Sequence, residues 1–214
     1  GQNTDQMAKF ATQAKKAAKE LSTNTTAYTN AALIYYQQGL TDEEVAKRVN
    51  RTLQLSNLTG ETTSDVASYM TAIWNNFADV SKSLEHNGDV LTALGAATAS
   101  SSKEIAGGLE QFSSIASTVG LSYEYATSAL ATVVAATRQS EDTVGTAYRT
   151  LFGRLQGLSL GETLEDGTTL NKYSSALRAI GVNIKDANGE LLSMDNILDK
   201  LGPKWETLSR DTQV

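Results

Sequence analysis

The only imidazole of the chain belongs to His86, in the run Glu85-His86-Asn87-Gly88-Asp89. A carboxylate beside an imidazole is the minimum for an acid–base pair, and His86 with Glu85 meets that minimum. A solvated histidine in a polar loop explains the same residues, and we interpret His86 in this way. With one histidine and no cysteine, the sequence excludes His-rich and Cys-based metal sites and a thiolate nucleophile.

The acidic run Asp186-Ala187-Asn188-Gly189-Glu190 has the residue types of a calcium loop. An EF-hand needs glycine at loop position six and glutamate at position twelve, whereas the glycine falls fourth here. An Asn-Gly step between apolar runs is instead typical of a β-hairpin closed by a type I′ turn. We therefore predict a hairpin around this step, and no metal.

Three further acids, Glu162, Glu165 and Asp166, share a glycine-rich stretch. A carboxylate pair is what glycoside hydrolysis uses, but one of its two carboxyl groups must have a raised pKa. Only Leu160 and Leu164 offer an apolar environment nearby. A solvated acidic loop is the better interpretation of these three residues.

One glycine motif and one group of arginines are the remaining candidates for a binding site. The Gly107-Gly108 step interrupts a helical pattern without the preceding strand or the Gly-Lys-Ser/Thr of a phosphate loop, so we predict a close approach of two helices there. Arg138, Arg149 and Arg154 could form a basic patch for phosphate or for acidic groups of a partner, and solvated helix faces explain them as well. The sequence thus assigns no catalytic, cofactor-binding or metal-binding residue. It predicts no cofactor, no small-molecule substrate and no enzymatic activity.

The composition favours helices. Alanine, threonine and serine number 27, 26 and 20 among 214 residues, and Pro203 is the only proline. The net charge of −6 and the pI near 4.9 argue against specific binding of nucleic acid. No window approaches the ~20 apolar residues of a membrane span. Residues 1–10 also lack the apolar core of a secretory signal.

Apolar spacing and capping residues indicate where the helices lie. Two capping boxes, Thr41 to Glu44 and Ser101 to Glu104, predict helix starts. Phe112 and Leu151 are central in the apolar stripes of two later helices, so a charge at either position is predicted to unfold the protein. A lysine-rich first helix is predicted to bury a heptad seam made of Met7, Ala11, Ala14, Ala18 and Leu21.

Other breaks in the pattern predict loops and turns. A loop is predicted at His86-Asn87-Gly88, before a short helix from Val90 to Ala99. Pro203 follows a glycine and is predicted to start the last helix.

The predicted fold is mainly α, an antiparallel multi-helix bundle with one small β-hairpin near the C-terminus, because short links require antiparallel neighbours. Three segments follow one another. Residues 1–25 form an Ala/Lys-rich helical arm, residues 26–157 form a helical core, and residues 158–214 form a loop, short helices and the hairpin. The chain stops at Val214 without a helix stop signal, which predicts a segment of a longer protein.

Several runs carry a resemblance to a known family. Three of them are Thr92-Ala-Leu-Gly-Ala-Ala-Thr-Ala-Ser-Ser-Ser-Lys-Glu-Ile105, Val119-Gly-Leu-Ser-Tyr-Glu-Tyr-Ala126 and Gly145-Thr-Ala-Tyr-Arg-Thr-Leu-Phe-Gly-Arg154. Ile73-Trp-Asn-Asn-Phe77 precedes them, and Ala179-Ile-Gly-Val-Asn-Ile-Lys-Asp-Ala-Asn-Gly-Glu190 follows. In this order, over residues 26–214, they resemble the core region of phage tail tape measure proteins.

The resemblance implies a helical part of a very long virion protein that occupies the lumen of the tail tube. Such a protein determines tail length during tube assembly and is released at genome ejection, after synthesis in the cytoplasm of the bacterial host. The implied partners are the tail tube protein, tail assembly chaperones, further copies of itself and, at ejection, the host envelope. From the residues alone, two alternatives stay open: a non-enzymatic helical interaction module of a bacterial secreted or cell-surface assembly, and an accessory to a cell-wall hydrolase.

Overall fold

The computed structural model describes residues 4–77, 83–156, 162–163, 169–170 and 172–213, and most of these residues are helical. The mainly helical fold is therefore confirmed. The elements are α1 (Thr4–Glu20), α2 (Thr25–Tyr36), α3 (Asp42–Thr59), α4 (Thr63–Asn76), α5 (Leu84–Ala97), α6 (Ser102–Thr118), α7 (Tyr123–Thr137), α8 (Glu141–Gln156), β1 (Glu162–Thr163), β2 (Thr169–Leu170), α9 (Lys172–Ala179), α10 (Met194–Trp205) and α11 (Arg210–Gln213).

Both predicted capping boxes are present. At the start of α3, Thr41 N–H donates to Glu44 Oε2 at 2.9 Å, and the Thr41 hydroxyl accepts from the Glu44 N–H. At the start of α6, Ser101 N–H donates to Glu104 Oε2 at 2.6 Å, and the Ser101 hydroxyl accepts from the Glu104 N–H. These bonds satisfy N–H groups that the first turn of a helix leaves unpaired.

One buried cluster runs through the described helices from α1 to α10. It combines aromatic and branched side chains with alanines. Its largest fully buried side chains are Tyr28, Tyr35, Phe112, Leu53, Leu55, Met70, Ile73, Leu91, Ile105, Leu109, Leu130 and Ile197.

The seam predicted for α1 is rotated in the structure. Phe10, Ala14 and Ala17 face the core, whereas Met7 is 58% exposed. The Phe10 ring packs edge-on against Tyr28, with ring centroids 5.5 Å apart. An aromatic ring buries far more apolar area than an alanine, so Phe10 determines which face of the helix turns inward.

The loop predicted at His86-Asn87-Gly88 is wrong, because α5 already begins at Leu84 after the N-cap Ser83. Sequence reasoning took Asn87-Gly88 as a helix breaker. In the structure Gly88 lies against the guanidinium of Arg51, where a Cβ would be 2.7 Å from Nη2. The glycine therefore allows close packing and does not end the helix.

Three consecutive helices form an up-down-up unit. The links α6–α7 and α7–α8 are short, and each helix runs opposite to the one before it. Arg138 at the end of α7 bonds Ala99 O just before α6, and Tyr148 of α8 donates to Ala129 O in the middle of α7. α6 and α8 consequently run in the same direction. Gly107 lies near Glu141 at the start of α8, and Phe112 further along α6 packs on Tyr148 and Phe152.

Leu151 is not a core residue, so the prediction that a charge there unfolds the protein loses its basis. Leu151 is 45% exposed, whereas Val144 and Phe152 of the same helix are 4% and 2% exposed. The apolar stripe of α8 is wider than the face that α6 covers. Leu151 lies on the uncovered part of that stripe.

The β-hairpin predicted around Asn188-Gly189 does not form, and the chain makes only an isolated antiparallel bridge between Lys185 and Leu191 there. A type I′ turn needs positive φ at both central residues, but only Gly189 has it, with φ +83°. The turn is instead closed by Gly189 N–H donating to Asp186 O. The Asp186 carboxylate also accepts the Glu190 N–H, at 2.9 Å. A side chain therefore takes a backbone N–H that would have bonded a carbonyl of the opposite strand in a hairpin.

Two further elements differ from prediction in the last quarter of the chain. A pair of two-residue strands, β1 and β2, lies in the stretch predicted as loop, with Glu162 opposite Leu170. Pro203 lies inside α10 and does not begin the next helix. Proline lacks the N–H that would bond the carbonyl four residues earlier, so Pro203 removes one hydrogen bond of α10 without ending the helix, which continues to Trp205.

Candidate functional site

His86 is paired with a carboxylate, but not with its sequence neighbour Glu85. Its Nε2 lies 2.5 Å from Glu124 Oε1, and about a third of each side chain is exposed, 35% and 37%. Since His86 is in the first turn of α5 and Glu124 in the first turn of α7, the pair joins the starts of two helices. Tyr123 adds a second link there, because its hydroxyl donates to Asn87 O at 2.7 Å. His86 therefore has a structural role in this arrangement, because its contact with Glu124 joins α5 to α7.

Arg51 is a buried cation that sequence reasoning missed. It is 8% exposed and joins α3 to α5, donating from Nη2 to Glu85 O at 2.9 Å and to Asp89 Oδ1 at 2.5 Å. A buried guanidinium needs such partners because desolvation of a charge is costly. The sequence held one signal of this contact, since Gly88 within a helical stretch indicates something packed closely on it.

Asp186 is the first residue of the run considered for calcium, and its carboxylate is already hydrogen-bonded within its own turn. Its Oδ1 accepts the backbone N–H groups of Asn188 and Glu190, each at 2.9 Å. Over the residues that the structure describes, no group of three or more His, Cys, Asp or Glu side chains is arranged to hold a metal ion. The acids Glu165 and Asp166, and the side chain of Glu162, lie outside the described residues.

The Gly107-Gly108 step marks a close approach of helices, as predicted. A Cβ on Gly108 would lie 2.6 Å from Leu130 Cδ2 of α7, and one on Gly107 would lie 3.2 Å from Glu141 Cγ. The partner glycine is Gly145 in α8, where a Cβ would be only 2.5 Å from Gly108 O. The backbones of α6 and α8 are therefore nearly in contact at Gly108 and Gly145. We call this contact the glycine crossing.

The arginines considered as a basic patch make different contacts. Arg138 ends α7 in the left-handed conformation, and its Nη1 donates to Ala99 O at 2.5 Å. Arg149 is exposed and lines a polar groove of 530 Å³ between α6 and α8, together with Glu110. The side chain of Arg154 lies outside the described residues. The structure thus gives Arg138 a hydrogen bond to the backbone and places Arg149 on the wall of a groove that Glu110 also lines.

The outer face of α7 has an unusual surface chemistry. Residues 125–137 contain no charged side chain. The exposed hydroxyls of Ser128, Thr132 and Thr137 donate to carbonyls of their own helix, at 3.1, 2.8 and 2.8 Å. Beside them, a groove of 340 Å³ runs between Val133 of α7 and Leu151 of α8. Burying this face would leave few donors unpaired, because the hydroxyls already have partners.

No helix in the described part of the chain is long and apolar enough to cross a membrane.

The family model of phage-related minor tail proteins matches residues 11–214. The chain belongs to this family. No solved structure matches it. As a phage-related minor tail protein, the chain has a structural role in a phage tail and is a component of the virion. The match begins inside α1 and includes the glycine crossing, the Arg51 contact and the turn at Asp186.

Proposed function

We propose that this minor tail protein is a helical segment of a tail tape measure protein. In this role it lies in the lumen of the tail tube, determines tail length during tube assembly and leaves the tail at genome ejection. The observation that carries the proposal is the ordered series of motif runs over residues 26–214, within a chain that the minor tail family matches over residues 11–214.

The packing of these runs supports the proposal. The first run joins the end of α5 to the start of α6, and a Cβ on Gly95 of α5 would lie 2.4 Å from Ser102 Oγ of α6. The third run contains Gly145, which contributes to the glycine crossing. The residues that carry the resemblance therefore include close helix contacts, which accounts for their small side chains.

A bundle must open if it is to act as a ruler inside a narrow tube. Alanines make up part of the core between the helices, and each buries little apolar area, so separating the helices at these alanines costs less than separating them at leucines would. The buried alanines are Ala14, Ala17, Ala31, Ala32, Ala67, Ala106, Ala116, Ala126 and Ala131.

The proposed partners follow from the tape measure role. They are the tail tube protein, tail assembly chaperones, further copies of this chain and the host envelope at ejection. We also propose that the segment has no enzymatic activity. An assay of peptidoglycan degradation tests this point: the purified chain should release no soluble fragments while a hydrolase control does, and release by the chain would contradict it.

Tail length measured by electron microscopy tests the main proposal. An in-frame deletion of Ser101 to Arg154 in the phage gene removes 54 residues. At a helical rise of 1.5 Å per residue, the tail should shorten by about 80 Å. Duplicating the same residues should lengthen it by about 80 Å.

A replacement variant separates length from sequence. Substituting an unrelated helical sequence of equal length for the deleted residues should restore the original tail length. Full tails of unchanged length in the deletion and duplication variants would contradict the ruler role, and would indicate that this segment serves assembly or ejection without being measured.

A further inference from the structure

The sequence contains two Asn-Gly steps, Asn87-Gly88 and Asn188-Gly189. This dipeptide has a chemistry of its own, because glycine lacks a Cβ and its backbone nitrogen can reach the side-chain carbonyl of the preceding asparagine. The reaction requires local freedom of the backbone, since the attacking nitrogen must leave its hydrogen bond. The structure places the two steps in opposite environments.

Asn87-Gly88 is held inside α5. Asn87 is 7% exposed, and its carbonyl accepts the Tyr123 hydroxyl at 2.7 Å. Gly88 is buried against Arg51, which also binds Glu85 O one turn earlier in the helix. Reaction at Asn87 therefore requires the start of α5 to unwind and its contacts with α3 and α7 to break.

Asn188-Gly189 lies in an exposed turn. The Gly189 N–H makes a single long bond, 3.2 Å, to Asp186 O, and the space around the Gly189 Cα is open, with nothing within 4 Å of a built Cβ. Opening that bond disturbs no buried side chain at the two residues, because both are exposed.

We propose that Asn188 is a site of spontaneous deamidation and that Asn87 is protected. The Gly189 backbone nitrogen loses its proton and attacks Asn188 Cγ. The new N–Cγ bond closes a succinimide, and the Cγ–Nδ2 bond breaks to release ammonia. Water then adds to one of the two ring carbonyls and opens the ring, which leaves an aspartate or an isoaspartate at position 188. The net change is one water consumed and one ammonia released.

The modification changes the turn that precedes α10. It adds a carboxylate between Asp186 and Glu190, and the isoaspartyl product also lengthens the main chain by one methylene group. In the isoaspartyl product this added methylene lies between Lys185 and Leu191, so it shifts the register of the bridge that joins them. A few residues further on, Asp195 accepts the Ser122 N–H at 3.1 Å, so the modified turn leads directly into the contact between α10 and α7.

Peptide mapping by mass spectrometry tests the proposal on the whole chain. The folded protein is incubated at mildly alkaline pH, and the conversion of amide to carboxyl is followed at both asparagines. Asn188 should react at least about tenfold faster than Asn87, because Asn87 reacts only from a locally opened state. In urea, where α5 is unfolded, the two rates should become similar.

Asn188→Gln is the matched control, since glutamine keeps the amide but would have to close a larger ring, and it should abolish the fast conversion. Equal rates at Asn87 and Asn188 in the folded protein would overturn the proposal. So would an Asn188 that stays intact in the folded protein while it reacts in urea.

Discussion

The glycine crossing predicts that the same substitution in one helix has opposite effects at two positions. Gly145 and Gly153 both lie in α8. A Cβ on Gly145 would be 2.5 Å from the backbone oxygen of Gly108 and 2.9 Å from Gln111 Cβ, whereas a Cβ on Gly153 would meet nothing within 4 Å. Gly145→Ala should therefore destabilise the protein, and Gly153→Ala should stabilise it.

The magnitudes follow from two opposing effects. Replacing glycine by alanine inside a helix stabilises by about 0.5–1 kcal/mol, because the unfolded chain loses conformational freedom. At Gly145 the new methyl group would lie 2.5 Å from the Gly108 oxygen, about 0.8 Å inside the ordinary carbon–oxygen contact of about 3.3 Å, and the obstacle is backbone. Overpacking of this kind costs about 1–3 kcal/mol. We expect a net loss of about 1–2 kcal/mol for Gly145→Ala and a gain of about 0.5–1 kcal/mol for Gly153→Ala.

Thermal unfolding followed by circular dichroism provides the assay. For a chain of this size, 1 kcal/mol shifts Tm by roughly 2–4 °C. Gly145→Ala should lower Tm by roughly 2–8 °C, and Gly153→Ala should raise it by roughly 1–4 °C. The reasoning is refuted if Gly145→Ala melts at or above the unsubstituted protein, or if both variants shift Tm in the same direction.

Two further predictions concern the core and the helix caps. Phe112→Asp should abolish the cooperative melting transition because the ring is 2% exposed, whereas Leu151→Asp, at a residue 45% exposed, should keep helicity and change Tm little; equal effects in circular dichroism would refute the burial argument. The pKa of Glu44 is lowered by hydrogen bonds from the hydroxyl and N–H of its capping threonine, and the pKa of Glu104 by those from the N–H and hydroxyl of its capping serine. Both carboxylates therefore stabilise the protein above their ordinary pKa of 4.5, and this stability is lost as pH falls through the lowered values. Urea unfolding from pH 6 to pH 3 should show the loss, and a Glu44→Gln/Glu104→Gln variant should show a smaller one; equal losses would contradict this cause.

Local signals predicted local structure well. The capping boxes at Thr41 and Ser101 depend on residues three positions apart, and both are present. The Gly107-Gly108 step was predicted to mark a close helix approach, and its neighbours in α7 and α8 bear this out. A capping box forms between residues only three positions apart, so the sequence shows both partners. A glycine pair inside a helical pattern has only a few physical explanations, and close helix packing is one of them.

Contacts between distant residues explain the failures. Sequence alone cannot show that Arg51 packs on Gly88. The Asn87-Gly88 step was therefore predicted to be a loop, although it lies within α5. Likewise Glu124, the partner of His86, lies 38 residues away, and Glu85 was considered in its place. The hairpin failed for a subtler reason, since the Asp186 side chain takes an N–H that a strand ladder would have used.

The hydroxyls of α7 have a consequence for friction. A serine or threonine whose hydroxyl donates to its own helix turns methyl and methylene groups outward and has no free proton to donate to a passing surface. Ser128, Thr132 and Thr137 are in this state, on a helix face without charges. Such a face makes few directional bonds with a wall, so few bonds have to break during relative motion. If the chain travels along a channel, this helix would slide along the wall with little adhesion.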